Sequence, residues 1–255
     1  MIIKKIAIFI GLFSLQIIYS LSQDEFRQIG TKIWQNEASG KEELLVFWNK
    51  NESFPSLGIG HNIWFPAGQR AIYNQDFPQL CNYLQQNGVK LPNWLEQAKN
   101  VGAPWQSREE FYKDTKRTSE LRDLLANTVI LQTHFMVNRL IKKLPEIIEA
   151  APLKQRKKVR YNIDLLLSTP LGTYAVIDYL NFKGDGLKTH SGGQKWGLLA
   201  VLLDMPDNLN IKNVHKAFAA SAAKKLLQRI ANDGPNYKTI VFLNGWMKRI
   251  STYIE

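Results

Sequence analysis

A single cysteine, Cys81, stands in 255 residues. It has no partner for an intrachain disulfide, and it excludes a cysteine-rich zinc or iron–sulfur site. Histidine is nearly as scarce. His61, His134, His190 and His215 are far apart and lack metal-ligand spacing, so neither a metal nor a cofactor is expected. No internal repeat and no low-complexity linker interrupts the chain. Gly184-Asp185-Gly186 is followed by no Lys-Ser/Thr at P-loop spacing. With 45% hydrophobic and 22% charged residues, a disordered chain, a collagen and a coiled coil are excluded. Acids are in deficit: 22 Asp and Glu against 33 Lys and Arg leave a net charge of +11. Such a balance suits nucleic acid, an anionic membrane surface or an anionic polymer such as bacterial cell wall. Charge alone does not choose among them. The length suits one large domain or two small ones, since single cores stop growing at roughly 250–300 residues.

The N-terminus narrows the choice. Lys4 and Lys5 precede an apolar run from Ile6 to about Tyr19, and Ser20 and Ser22 have the small-residue spacing of a cleavage site. This is a secretory signal pattern over residues 1–22. The alternative is an uncleaved anchor, but the run is shorter than the ~20 residues a span needs. No cysteine follows it, so a lipoprotein anchor is not indicated. Removing the segment takes away two lysines and no acids, which lowers the charge from +11 to +9. The expectation is an exported protein, periplasmic or secreted. Export argues against nucleic acid as partner and favours cell wall, anionic lipid or extracellular polysaccharide. The lone thiol fits an oxidising compartment.

Hydrophobic spacing predicts a helix over 24–36 from Phe26, Ile29, Ile33 and Trp34, stopping near Gly40. Leu44–Trp48 and Ser56–Trp64 read as two strands joined by a turn, a small hairpin. The glycines at 58 and 60 would weaken a strand and mark a close backbone approach. Short helices are expected near Phe77–Gln86 and Ser107–Tyr112, the second with Ser107 as N-cap and Glu110 completing a capping box. Residues 118–150 read as one long helix or two in series, capped by Thr118 and buried centrally. His134 on it is a core residue. Further helices are expected at 153–167, 170–181, 194–204, 211–231 and 239–253. The fold class is α+β: one mostly helical domain over 23–255, with a small hairpin near its N-terminus. A monomer is expected.

The chemistry-bearing stretch is Asn36-Glu37-Ala38-Ser39-Gly40, then the hairpin, then Ser56-Leu57-Gly58-Ile59-Gly60-His61. Glu37 closes an amphipathic helix, with Trp34 placed to give its carboxyl an apolar wall. The negative helix end and desolvation both disfavour the carboxylate, which suits a general acid. From spacing alone a surface glutamate ending a helix is the favoured reading, since it describes most glutamates.

The order helix, Glu37, hairpin, Ser-x-Gly-Ile-Gly-His resembles the phage-type lysozymes and endolysins of the lysozyme-like superfamily. The segment carrying the resemblance covers about residues 33–64. Softer similarities lie in Tyr179-Leu180-Asn181-Phe182-Lys183-Gly184, which resembles the segment lining the cleft of lytic transglycosylases, in Gln194–Leu199, which opens a helix, and in Gly245–Ile250. The resemblance implies a peptidoglycan-cleaving glycosidase, a muramidase or lytic transglycosylase, with Glu37 as acid and Ser56 facing the cleft. It implies a structural or supporting role for His61. Asn49, Glu52, Gly58, His61, Tyr179, Asn181 and Asp185 are the candidate substrate-binding residues. Where the phage-type enzymes carry an Asp on the hairpin, this chain has Lys50, with Glu52 the nearest acid. A two-carboxylate inverting mechanism is therefore in doubt, and a single acid/base suits a transglycosylase; hydrolysis remains open if Ser56, the second catalytic candidate, or Glu52 positions a water. Alternatives are a chitosanase-like or chitinase-like hydrolase and a non-catalytic glycan-binding protein.

Asp178 reads either as a buried structural partner or as part of the cleft floor. The run Lys154–Arg160 is a solvated helix face or a patch for wall polymer or lipid headgroups. Trp48, Trp64, Trp105, Trp196 and Tyr179 are candidates for stacking on sugar rings, among seven Trp and nine Tyr.

Overall fold

The computed structural model describes residues 21–72, 74–187, 196–232 and 239–255. The expected signal segment lies almost wholly outside them, as do His190, Gln194 and Lys195. Among the described residues, no helix is long and apolar enough to cross a membrane. The elements are α1 (Gln23–Ala38), β1 (Val46–Phe47), β2 (Ser56–Leu57), β3 (Asn62–Ile63), α2 (Phe77–Gln86), α3 (Asn93–Ala98), α4 (Arg108–Lys113), α5 (Thr115–Ala126) and α6 (Val129–Ala150). They continue with α7 (Arg156–Leu167), α8 (Pro170–Lys183), α9 (Leu198–Asp204), α10 (Val214–Asn232) and α11 (Leu243–Ser251). Among the described residues the protein is mostly helical with one small antiparallel sheet, an α+β composition. Contacts group the described residues, expected as one domain, into two compact units, Phe26–Met136 and Val137–Glu255, the latter with Leu21–Glu25.

In the first unit, α1 buries Phe26, Ile29, Gly30, Ile33 and Ala38 on one stripe. At Gly30, α1 packs against Val129 and Thr133 at the start of α6. A Cβ there would stand 2.2 Å from Thr133 Oγ1. The sheet is a three-stranded meander rather than a simple hairpin, because a turn at 58–61 splits the second expected strand into β2 and β3. Trp48, Trp64 and Trp105, candidates for sugar stacking, are at most 2% exposed and belong to the core. Trp64 and Trp105 meet edge to face, and Trp105 meets Trp94 and Phe111 the same way. Such offset geometry is what aromatic quadrupoles favour. Cys81 is fully buried in this unit. Burial pushes its thiol up to about 12, with Lys99 pulling the other way, so it is an unreactive core residue.

The caps explain the helix boundaries. Ser107 caps α4 as expected, accepting from Glu110 N–H at 3.2 Å, but the Glu110 carboxylate reaches back to Gln106 N–H instead of closing a box on Ser107. The expected Thr118 cap is corrected: Asp114 caps α5 by accepting from Arg117 N–H, and Thr118 lies inside the helix with its hydroxyl on Asp114 O. Residues 118–150 form two helices in series, broken at 127–128. The basic run at 154–160 is partly committed. Arg156 donates to the carbonyls of Glu149 and Ala151 at the end of α6, and Lys158 lies 3.4 Å from Asp207.

In the second unit α8 is the helix buried on every side, from Gly172 to Tyr179. Thr169 caps it, and Pro170 begins it with φ already helical. Asp178 sits in that apolar helix at 0% exposure, and its charge is matched there. Arg249 donates Nε to Oδ2 at 2.7 Å and Nη2 to Oδ1 at 2.9 Å, and Tyr253 donates to Oδ2 at 2.6 Å. Burial first, and then the Asp178 charge, raise the Tyr253 phenol well above its ordinary range, so it stays a donor. Of the two roles open to Asp178, the structure assigns that of a buried structural partner.

Two histidines make stability depend on pH. His134 stacks on Phe26 with ring centroids 3.8 Å apart, and His215 Nε2 lies 2.8 Å from Thr169 Oγ1. Burial lowers both below 6.5. The unfolded chain therefore takes up protons that the folded chain resists. The full stability is present above about 6.5 and falls as pH drops toward the folded values. Urea unfolding at about pH 8 and about pH 5.5 checks this, and a lower midpoint at the acid pH is expected.

Candidate active site

Glu37 is the next-to-last residue of α1. The helix stops because Ser39 and Gly40 both turn left-handed, at φ 52° and 67°, while Gly40 N–H reaches back to Trp34 O at 3.3 Å. The Glu37 side chain is only 14% exposed. Trp34, expected to wall its carboxyl, donates its indole N–H to Lys41 O at 3.3 Å. It also lines a depression of about 390 Å³ with Arg27, Thr31 and residues 126–131.

Facing Glu37 is the turn Gly58–His61. Gly58 takes φ +75° and donates its N–H to Leu45 O at 2.8 Å, and His61 N–H closes the turn on Gly58 O at 3.1 Å. Asn62, 4% exposed, donates its side-chain amide to Leu57 O at 3.0 Å. His61 itself is left-handed at φ 48°. That unusual backbone brings His61 Nδ1 to 3.7 Å from Glu37 Oε2, an ion pair when the ring is protonated and too long for a direct hydrogen bond. Among the described residues, the buried Nε2 of His61 has no hydrogen-bond partner.

The turn is pinned by a residue the sequence did not single out. Gln132, 1% exposed on α6, accepts Ile59 N–H at 2.9 Å through Oε1. Its Nε2 donates to Leu125 O at 2.6 Å and to Thr128 Oγ1 at 3.1 Å. Each polar atom is satisfied, which makes the burial tolerable. The available signal was a glutamine on the apolar face of the 129–137 helix, where a buried amide must find partners. Gly58 is held against it: a Cβ there would lie 2.4 Å from Gln132 Oε1. Gly58→Ala is expected to cost about 1–2 kcal/mol for the left-handed backbone alone, and more for displacing Gln132. Gly68→Ala is the control, since its Cβ meets nothing within 4 Å at φ +79°. Urea unfolding of the two variants separates strain from clash.

Other expected site residues fall into two groups. Glu52 lies in the β1–β2 loop, and Trp48 Nε1 donates to its carbonyl at 2.8 Å. The residue is exposed, yet its carboxyl lies against the fold closely enough that desolvation raises its pKa, the larger effect, while His61 lowers it. His61 thus lies within electrostatic reach of two carboxyls. Asn49 shapes the same loop, accepting Asn51 N–H through Oδ1 at 3.0 Å and Glu52 N–H through its carbonyl at 3.1 Å. Ser56 is buried on β2, opposite Phe47 and Ile63. Paired residues share a face, so Ser56 stands with the half-buried Phe47 and Ile63, and the buried Val46, Leu57 and Asn62 take the other face.

Tyr179, Asn181 and Asp185 belong to the other unit. Tyr179 is 0% exposed and donates its phenol to Trp196 O at 2.7 Å, which makes it a core residue instead of a lining one. Asn181 is half-buried on α8. Asp185 accepts Leu187 N–H at 2.9 Å and lies 3.8 Å from Lys143 Nζ. Among the described residues, no three His, Cys, Asp or Glu are grouped to hold a metal ion. The arrangement around Glu37 offers a shielded carboxyl at a helix end, an imidazole beside it, and a second carboxyl on the adjoining loop. No protein-family model, no curated protein and no solved structure matches the chain.

Proposed function

We propose that this chain is an exported glycosidase of the lysozyme-like superfamily. It cleaves the β-1,4 bond between N-acetylmuramic acid and N-acetylglucosamine in peptidoglycan, with Glu37 as general acid. The observation that carries the reading is the approach of His61 Nδ1 to Glu37 Oε2, 3.7 Å, at a turn locked by Gln132. The carboxyl is shielded at the C-terminal end of α1, and His61 stands beside it without a direct hydrogen bond, which leaves the carboxyl available to a glycosidic oxygen.

Glu37 gives its proton to the glycosidic oxygen as the bond from C1 to that oxygen breaks. The leaving sugar departs with a hydroxyl, and positive charge builds on C1. As carboxylate, Glu37 then takes a proton from whatever attacks C1. Water leaves a new reducing end. The 6-hydroxyl of the same sugar closes a 1,6-anhydro ring and leaves none. Lys50 stands where the resemblance would put the second acid, so Glu52 is the carboxyl that would position a water for hydrolysis. The chain's positive charge aids its approach to an anionic wall, an effect that weakens as salt rises. Incubation of the protein with purified peptidoglycan sacculi tests the reading. Release of soluble muropeptides is expected, and intact sacculi after prolonged incubation would overturn it.

A further inference from the structure

The turn Ile240–Phe242 sets three consecutive apolar side chains at the surface, at 48%, 76% and 55% exposure. Single exposed apolar residues are ordinary, but a contiguous set marks a contact surface. Behind it lies an aromatic layer. Phe242 stacks on Trp246, with centroids 6.0 Å apart and planes at 17°. Cations lie on that layer: Lys183 Nζ is 3.9 Å from the Trp246 ring and 3.7 Å from Phe182. The Arg229 guanidinium is 5.2 Å from Trp246 and 4.8 Å from Trp196. The two helices flanking the tip, α10 and α11, hold Lys216, Lys224, Lys225, Arg229, Lys248 and Arg249 and no Asp or Glu. Lys224 and Lys225 pair with Asp204, and Arg249 with Asp178. Lys216 and Lys248 are exposed.

We propose that Ile240–Phe242 is an insertion tip that docks the second unit on an anionic phospholipid surface. The patch offers what such a surface takes up: an exposed apolar tip for the acyl boundary, and beside it helices that carry cations and no acids for the phosphates. Lipid fits better than glycan. Sugar stacking needs open ring faces, but Trp246 is 8% exposed and covered by Lys183, and the most exposed residue is the aliphatic Val241. Docking here is independent of Glu37, so it stands or falls separately from the proposed chemistry.

Co-sedimentation of the full chain with phosphatidylcholine vesicles, with and without phosphatidylglycerol, tests it at low and high salt. Val241→Asp and Phe242→Asp are compared with the parent, because these exposed positions leave the fold intact, as circular dichroism would verify. The N-terminal segment is common to all three proteins, so differences among them read the tip. The parent is expected to bind anionic vesicles, and to bind less at high salt. Each tip variant is expected to bind roughly tenfold more weakly or worse. Equal binding by parent and tip variants would overturn the proposal. So would a loss confined to binding of purified sacculi, which would make the tip a glycan contact.

Discussion

Glu37→Gln is expected to lower muropeptide release from sacculi by roughly 10²–10⁴-fold, the range for losing a positioned general acid. Glutamine keeps the shape of the side chain and its place near His61 but has no proton to give. Stability is expected to hold, because glutamine fills the same space at the C-terminal end of α1. A loss of activity without a loss of stability distinguishes a catalytic group from a structural one. Activity assays and urea unfolding on the same preparations read both. Undiminished release by the variant would remove Glu37 from the chemistry.

The largest stability effect is expected at Asp178. Asp178→Asn leaves Arg249 of α11, itself 8% exposed, as an uncompensated charge against α8. Breaking a buried pair in this way costs about 3–5 kcal/mol. Replacing the whole cluster with apolar residues is a different case, since no charge or donor is then stranded. Asp178→Leu with Arg249→Met and Tyr253→Phe is expected to cost far less than Asp178→Asn alone. Urea unfolding compares the two. A triple variant no more stable than Asp178→Asn would mean that the cluster's packing, and not the pairing of its charge, holds these helices.

Much of the helical framework was legible in the sequence because it rests on local rules. Phe77–Gln86 is the helix that hydrophobic spacing predicts, and Ser107 caps its helix through a residue three positions on. The misses come from competing or distant effects. Thr118 reads as a cap, but Asp114 stands one turn earlier and is the better acceptor for Arg117 N–H. The six-residue helix Asn93–Ala98 is too short to show a period. The most enclosed helix is α8 instead of the 118–150 region, because a helix apolar on all sides carries no amphipathic signal to contrast with its neighbours.

The candidate site divides along the same line. Glu37, Gly58 and His61 belong to a pattern spread over a short stretch of chain, and the structure brings Glu37 and His61 together. Gln132 was not found, because its role depends on a turn 73 positions away. The pairing of Asp178 with Arg249 spans 71 positions and was likewise beyond local reasoning. Asn49 is chemically suited to bind sugar, yet its side chain builds its own loop. Tyr179 matched a segment that lines clefts elsewhere, and here it is sealed in the core.

Mass spectrometry of peptidoglycan digested by the parent protein and by Glu37→Gln tests the role of Glu37 most directly. Disaccharide muropeptides are expected from the parent and none above background from the variant. A 1,6-anhydro end, lighter by one water, would assign the 6-hydroxyl as acceptor, and a reducing end would assign water. The same muropeptides from both proteins, or none from either, would contradict it.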